Sequence, residues 1–315
     1  MIWLAIVLQV CGSFLFAGGA MLQSLAVRST FTDERPASEN RLSLAGLFRL
    51  FLIPRWTLGL LCVLVGAGIN FAALTFAPVA VVQPIGILAV IWSVLLAARI
   101  HRHRPNSRVW GAVGCTVVGL VGFTLLSTTY ATGNHRAGLV PLLVTFGIVL
   151  GLSGLLGFVA PRVAPALKAM LWASIGAMFY GMSTGMLKAT ADLLLRYHAG
   201  LTDREVVAAV TMMLAGFVLG AWMIQQGYAS GPAEITVATM TTVDPVVAVV
   251  FGLVVLGEGA AMSPWALLGM ALLGALAVYG VALLSHHHPD AVREREQRSR
   301  ERAEAALVTP GSPTP

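Results

Sequence analysis

The sequence has little charge for its length. Of its 315 residues, 11% are charged and 57% are hydrophobic, and the mean hydropathy is +0.82. Soluble domains carry roughly 25% charged residues, so this chain lacks the polar surface that a water-soluble globule needs. The composition therefore argues against a soluble protein and predicts a polytopic membrane protein whose solvent is the lipid bilayer.

Residue patterns that carry chemistry are also missing. The three cysteines stand in apolar runs, without the spacing of a metal or redox site: Cys11, Cys62 and Cys115. No nucleophile–base pair or metal-ligand spacing is present. The glycine patterns GAVG and GLSG lie in apolar runs, so they do not indicate a phosphate loop. The net charge of +6 comes from basic residues in short loops and a tail, which is typical of membrane topology signals. We therefore expect no enzyme activity, no cofactor, no resident metal and no nucleic acid partner.

Long apolar runs dominate the chain. A spanning helix needs about 20 apolar residues, and nine stretches qualify. The first of them lacks a preceding basic region and is too long for a signal peptide, so we interpret it as a retained span. Residues 42–53 are too short to span and contain Arg49, which predicts an interfacial amphipathic helix; residues 191–205 are predicted to be a loop. The nine predicted spans are 2–27, 56–77, 79–98, 109–127, 138–160, 168–190, 206–227, 233–256 and 264–285.

The distribution of basic residues predicts the orientation. With the N-terminus outside, the inward segments hold sixteen Lys and Arg residues and the outward loops hold three. This bias is the positive-inside pattern, and it places the C-terminus in the cytoplasm. Four tryptophans stand at the starts of spans, where an interfacial belt is expected: Trp3, Trp56, Trp110 and Trp265.

The chain contains an internal repeat. Residues 69–122 and 223–277 each contain a proline at the start of a span, then a short loop, a tryptophan, and glycines four and nine residues after it. One span separates two units of four, so the units have opposite orientation, as in many secondary transporters. The predicted fold is an all-α membrane protein of about nine helices in two inverted repeats (4+1+4). Its predicted parts are a first repeat (1–127), a linking helix (138–160), a second repeat (168–285) and a basic, disordered cytoplasmic tail (286–315).

Two stretches resemble a known transporter superfamily. TFAPVAVVQPIGILAVI resembles the NIPA-like branch of the drug/metabolite transporter superfamily, and TVDPVVAVVFGLVVLGE resembles the second-repeat helix of its EamA-like members. The first repeat ends in AARIHRHR where EamA units end in Gly-Glu, which favours the nine-span branch. The resemblance implies a transporter, and the NIPA-like branch implies Mg²⁺ or another divalent cation as its substrate.

Asp244 is the principal candidate for a functional residue. It falls near the middle of a predicted span, where a charged Asp costs about 2.5–3.5 kcal/mol on insertion scales. Asp244 must therefore face protein, water or a cation, or be protonated; the alternative is a packing residue. Pro245 removes the helical partner of the Thr241 carbonyl, and an opened turn beside a carboxylate is a plausible mid-membrane site. The hydroxyls of the neighbouring threonines either line this site or bond back to the helix.

Other polar residues in or beside the spans are weaker candidates. In the first repeat, Pro84 stands at the equivalent place, where it kinks the helix, and Gln83 is its polar neighbour. Lys188 either extends towards the headgroups or pairs with Asp244 or an anionic substrate. Glu234 is a gate residue or a favourable charge at a helix N-terminus. Asn70 and Gln225 line the cavity or bond across helices.

These observations lead to three functional hypotheses. The first is a secondary transporter of a small metabolite or drug-like solute, working by alternating access and proton-coupled through Asp244. The second is a NIPA-like carrier of Mg²⁺ or another divalent cation. The third is a membrane scaffold that acts through its tail, which predicts that deleting 289–315 abolishes function. An excess of arginine over lysine favours a bacterial plasma membrane, and the glycines of 109–127 and 264–285 could also support a homodimer.

Overall fold

The computed structural model describes residues 2–31, 44–76, 85–100, 105–130, 135–258 and 262–287. Across these ranges the regular structure is helical, with no strand. One 3₁₀ turn, Ala160–Arg162, follows α6. The helices are α1 (Ile2–Arg28), α2 (Leu44–Leu50), α3 (Pro54–Phe76), α4 (Leu88–Ile100), α5 (Ser107–Tyr130), α6 (Leu139–Val159), α7 (Pro165–Leu195), α8 (Arg204–Ser230), α9 (Ala233–Val255) and α10 (Pro264–His287).

The helices follow the apolar runs of the sequence. Three of them, α3, α7 and α10, begin on a proline, which suits the first helical turn because its missing N–H has no partner there in any case. Within the described ranges, six helices are long and apolar enough to cross a membrane: α1, α5, α6, α8, α9 and α10. The predicted spans 56–77 and 168–190 also form helices, α3 and α7. Of the predicted span 79–98, residues 79–84 lie outside the described residues and 88–98 belong to α4, which is shorter than a full span. The count of nine spans stays a prediction.

The helices pack in antiparallel pairs. In the pair α1–α3 the two backbones touch, since a Cβ atom on Gly19 would lie 2.6 Å from the Gly59 carbonyl oxygen. In the pair α5–α10 a Cβ atom on Gly119 would lie 2.7 Å from the Leu273 carbonyl oxygen. The third pair is α7–α8. Between the pairs, α9 lies against α7 and α4, and α4 lies against α1. The largest buried cluster draws mainly on α1, α4, α7, α8 and α9, and also contains Leu50 of α2 and Trp56 of α3, so the core sits where these helices converge.

One end of the bundle is marked by arginine. Arg28 ends α1 and Arg55 begins α3, while Arg99 is in the last turn of α4 and Arg108 in the first turn of α5. The contacts place these helix ends together, because α3 runs antiparallel to α1 and α4 runs parallel to it: Gly86, just before α4, lies against Gln9, and Trp92 donates to Ser13. We call this the arginine-rich end.

The structure differs from the sequence predictions in three places. The predicted loop 191–205 is shorter, because α7 continues to Leu195 and α8 begins at Arg204. Trp3, Trp110 and Trp265 are exposed as a lipid belt requires, but Trp56 is only 4% exposed and belongs to the core. Several of the glycines that favoured a homodimer, such as Gly119 and Gly280, instead pack α5 against α10 within one chain, while a Cβ atom on Gly111 or Gly114 would meet nothing within 4 Å. The homodimer stays a prediction.

Candidate functional site

Asp244 lies at the centre of α9. Eleven residues separate it from each end of the helix, about 16 Å of helix on either side. The helix continues through Pro245, whose missing N–H leaves the Thr241 carbonyl without its usual helical donor. The carboxyl group is partly buried, and within the described ranges it has no hydrogen bond or ion pair. The centre of α9 therefore combines a carboxylate with a carbonyl oxygen that lacks its usual helical donor.

The backbone of α7 forms the wall beside Asp244. A Cβ atom on Gly181 would lie 3.0 Å from Val247 Cβ and 3.1 Å from Ala248 N, and would also collide with the Asp244 carbonyl oxygen. Only glycine permits this approach. The neighbouring Tyr180 hydroxyl lies within electrostatic range of the Asp244 carboxyl, and its ring packs 6.0 Å from Phe217 of α8. Helices α7, α8 and α9 thus meet at this turn.

The threonines of α9 divide into two kinds. Thr239 and Thr241 donate their hydroxyls to backbone carbonyls four residues earlier, at 2.7 and 2.8 Å, as the structural interpretation of these residues predicts. Thr236 and Thr242 are fully buried, and their hydroxyls find no partner among the described residues. These two hydroxyls therefore lack a hydrogen-bond partner within the described part of the chain.

Gln225 lies in a hydrogen-bonded cluster at the arginine-rich end. The Trp56 indole N–H donates to Gln225 Oε1 at 3.0 Å, and Gln225 Nε2 donates to Gln23 Oε1 at 2.9 Å. All three side chains are buried. Two charged side chains, Lys168 and Glu234, are buried near the same end of α7 and α9. Gln225 therefore bonds across helices, as one of the two interpretations of its sequence position proposed.

Lys188 occupies the opposite end of the bundle. Its ammonium group pairs with the Glu258 carboxylate, just beyond the end of α9, and does not reach Asp244. The Lys188 side chain is 54% exposed, against 15% for Glu258. Asn70 is partly buried on α3, and Gln83 and Pro84 lie outside the described residues. The structure thus places Asp244, Pro245 and Thr241 in one turn of α9, and Lys188, Glu234 and Gln225 lie apart from it.

Sequence reasoning missed four residues that the packing makes important. In the sequence, Tyr180 is one of many aromatic residues in apolar runs, and Trp56 has the position of an interfacial anchor. Lys168 counts as a loop charge by its nearness to Arg162, yet its side chain is 1% exposed. The sequence indicates Glu258 only as the end of a Gly-Glu pattern. No local signal identifies these roles, because each depends on a contact with a distant helix.

Comparison with known proteins identifies the family. A model of the magnesium transporter NIPA family matches residues 3–264. The chain belongs to this family. The match confirms the NIPA-like part of the resemblance, while the EamA-like part stays a prediction. It places the chain among membrane transporters, and the relatives named as transporters confirm that it is not an enzyme.

Individual relatives of this NIPA family member show two patterns of similarity. An uncharacterized protein of Corynebacterium glutamicum is 25% identical over 242 residues, 76% of this chain and 81% of that protein. Probable magnesium transporter NIPA1 of Arabidopsis thaliana is 37% identical over 73 residues, 23% of this chain and 21% of the relative. Magnesium transporter NIPA3 of Pongo abelii is 37% identical over 71 residues, 22% and 17% of the two chains. The chain thus aligns with about a fifth of each named transporter. No solved structure matches it.

Proposed function

We propose that this NIPA family member carries Mg²⁺, or a divalent cation like it, across the membrane through a site at Asp244. One observation carries the proposal: a partly buried carboxylate lies at the centre of α9 and has no positively charged partner within the described residues. A carboxylate in the middle of a membrane needs a partner, and a transported cation supplies one. The names of the relatives favour magnesium as that cation.

The scarcity of carboxylates indicates how the ion is held. No Asp or Glu occurs between Glu39 and Asp192, so the first predicted repeat brings none to the membrane interior. Mg²⁺ requires six oxygen ligands and gives up its waters reluctantly. One carboxylate, a free carbonyl and hydroxyl groups suit an ion that keeps most of its water shell. We propose that Asp244 binds the hydrated ion through those waters.

The packing supports the two inverted halves on which alternating access depends. Gln23, near the end of α1, bonds to Gln225, near the end of α8, and Ala169, near the start of α7, lies against Gly227 of α8. The end of α1 and the start of α7 therefore share one end of the bundle, so these two helices run in opposite directions. Opposite directions of corresponding helices are what an inverted repeat requires.

Uptake into proteoliposomes tests the proposal. Purified protein is reconstituted in vesicles loaded with a magnesium-sensitive dye, and external Mg²⁺ is added. We expect Asp244→Asn to lower the initial rate at least ten-fold, because it removes the charge and keeps the shape. Asp192→Asn is the matched control, since this carboxylate lies near the end of α7, and its rate should stay near that of the wild type.

Two outcomes would contradict different parts of the proposal. Wild-type vesicles that fill no faster than protein-free vesicles would exclude Mg²⁺ as the substrate. Uptake by Asp244→Asn at the wild-type rate would exclude Asp244 as the site. Hexaamminecobalt(III), whose ligands do not exchange, tests the hydrated ion: we expect competitive inhibition, and its absence would favour direct coordination.

A second candidate is proton-coupled transport of a small solute. Among the residues that the structure describes, no fixed counter-charge lies beside Asp244, which also suits a carboxyl group that takes up and releases a proton. In this case a proton gradient should drive solute uptake, and Asp244→Asn should remove its dependence on pH. Unchanged pH dependence in that variant would exclude the mechanism.

A further inference from the structure

Three buried side chains from three helices form a continuous hydrogen-bonded cluster at the arginine-rich end. Trp56 of α3 donates to Gln225 of α8, which donates to Gln23 of α1. Their exposed fractions are 4%, 4% and 6%. Gln225 uses its carbonyl for one bond and its amide for the other, so it is the central member of the cluster.

These bonds join parts of the chain that are far apart in sequence. Gln23 and Trp56 belong to residues 1–127, and Gln225 belongs to residues 168–285. The two bonds span 169 and 202 residues. A buried amide or indole without a partner is costly, so both halves gain from keeping these groups together. The cluster is therefore a specific contact between the two halves.

The packing around the cluster is tighter than the packing around Asp244. Every residue of α8 from Ile224 to Ser230 is buried, and so is every residue of α9 from Ala233 to Met240. Residues Val243–Val249 of α9, which surround Asp244, are only partly buried. The residues of α8 and α9 between Asp244 and the arginine-rich end are thus closed off from the surface.

We propose that Gln23, Trp56 and Gln225 form a latch that closes the arginine-rich end of the transport path. The inference rests on the proposed function in requiring two halves that move against each other, but it does not depend on the identity of the cargo. When the halves part at this end, Gln225 must leave Trp56 and Gln23. Removing its bonding groups then favours the form that is open at the arginine-rich end.

Thr236 provides a place to detect that opening. It is fully buried on α9, between Asp244 and the arginine-rich end, and it lies against Gly227 of α8. Gly227 is two residues from Gln225, so movement of α8 away from the other half is expected to uncover Thr236. A cysteine has nearly the size of threonine and fits this position.

The experiment measures thiol labelling of Thr236→Cys in protein whose native cysteines have been replaced: Cys11, Cys62 and Cys115. The protein is reconstituted in vesicles, and a membrane-impermeant maleimide is applied to molecules whose arginine-rich end faces outwards. We expect Gln225→Leu to raise the labelling rate at least five-fold. Ser93→Ala is the control, because it removes a buried hydrogen bond that stays within α4, at 2.8 Å to the Val90 carbonyl.

Trp56→Phe is the second variant, since it removes only the indole donor and keeps an aromatic ring in the core. It decides the result if Gln225→Leu does not fold, as judged by gel filtration, and we expect it to raise labelling at least three-fold. Labelling rates equal to the Ser93→Ala control in every folded latch variant would overturn the proposal. The labelling assay contains no Mg²⁺, so its result does not depend on the transported ion. Increased labelling of the latch variants, together with a failure of the wild type to take up Mg²⁺, would keep the latch and refute only the proposed ion.

Discussion

The contact between α7 and α9 at Gly181 gives the sharpest prediction. Gly181→Ala adds one methyl group at a point where the two helix backbones touch. That methyl carbon would lie 3.0 Å from Val247 Cβ and 3.1 Å from Ala248 N, against ordinary contacts of 3.4 Å or more. Backbone atoms cannot turn aside as a side chain can, so the helices must separate and the Asp244 turn must move.

Two opposing terms set the magnitude. Overpacking a well-filled interior costs about 1–3 kcal/mol. Replacing glycine by alanine within a helix returns up to about 1 kcal/mol. Because the added methyl presses on backbone atoms, the cost lies in the upper part of its range, about 2–3 kcal/mol, and the balance is a loss of about 1–2 kcal/mol. Domains of roughly 150–250 residues lose about 2–4 °C of Tm per kcal/mol, so Tm should fall by a few degrees.

The assay compares Gly181→Ala with a glycine that has room. Gly114 on α5 is the control, because a Cβ atom there meets nothing within 4 Å. Thermal unfolding in detergent, followed by tryptophan fluorescence, should show a lower Tm for Gly181→Ala and an equal or higher Tm for Gly114→Ala. Mg²⁺ uptake should fall only in Gly181→Ala. If both variants match the wild type in Tm and in uptake, the close contact at Asp244 does not exist.

Three further substitutions separate structural contacts from functional ones. Gly119→Ala should lower Tm by a few degrees, because its Cβ would press on the backbone of α10, and unchanged unfolding would refute the α5–α10 contact. Lys188→Gln should shift Tm by no more than about 4 °C, since a surface ion pair contributes about 0–1 kcal/mol, and a larger loss would mean a structural role. Thr239→Val should keep uptake near the wild-type rate because its hydroxyl serves only the Ile235 carbonyl, and strongly reduced uptake would place that hydroxyl in the site.

Helix positions could largely be predicted from the sequence. The predicted spans 138–160, 233–256 and 264–285 correspond to α6 at Leu139–Val159, α9 at Ala233–Val255 and α10 at Pro264–His287. Each is an apolar run whose start is marked by glycine or proline, which is local information. The predicted loop at 191–205 began too early, because the first residues after the apolar run are good helix formers that continue α7 to Leu195.

The partners of the polar side chains could not be predicted. Trp56 follows Arg55 at the start of an apolar run, which is what an interfacial residue looks like, yet it donates to Gln225, 169 residues away. Lys188 shares its half of the chain with Asp244, but its partner is Glu258. Such choices depend on how the helices are rotated and tilted against each other, and apolar periodicity in a membrane protein barely encodes rotation, because lipid and core are both apolar.

The positions of the two lysines help to explain why Asp244 remains available. The chain has only two, and both lie on α7, the helix that contacts the Asp244 turn. Lys168 and Lys188 stand thirteen and seven residues from Gly181, about 20 Å and 10 Å along the helix. No arginine occurs within the central part of any described helix. A lysine one turn from Gly181 would neutralise Asp244 permanently, and the site would then have no need of a mobile cation. Keeping fixed positive charge at the two ends of the bundle leaves the central carboxylate free for the cation that we propose as the substrate.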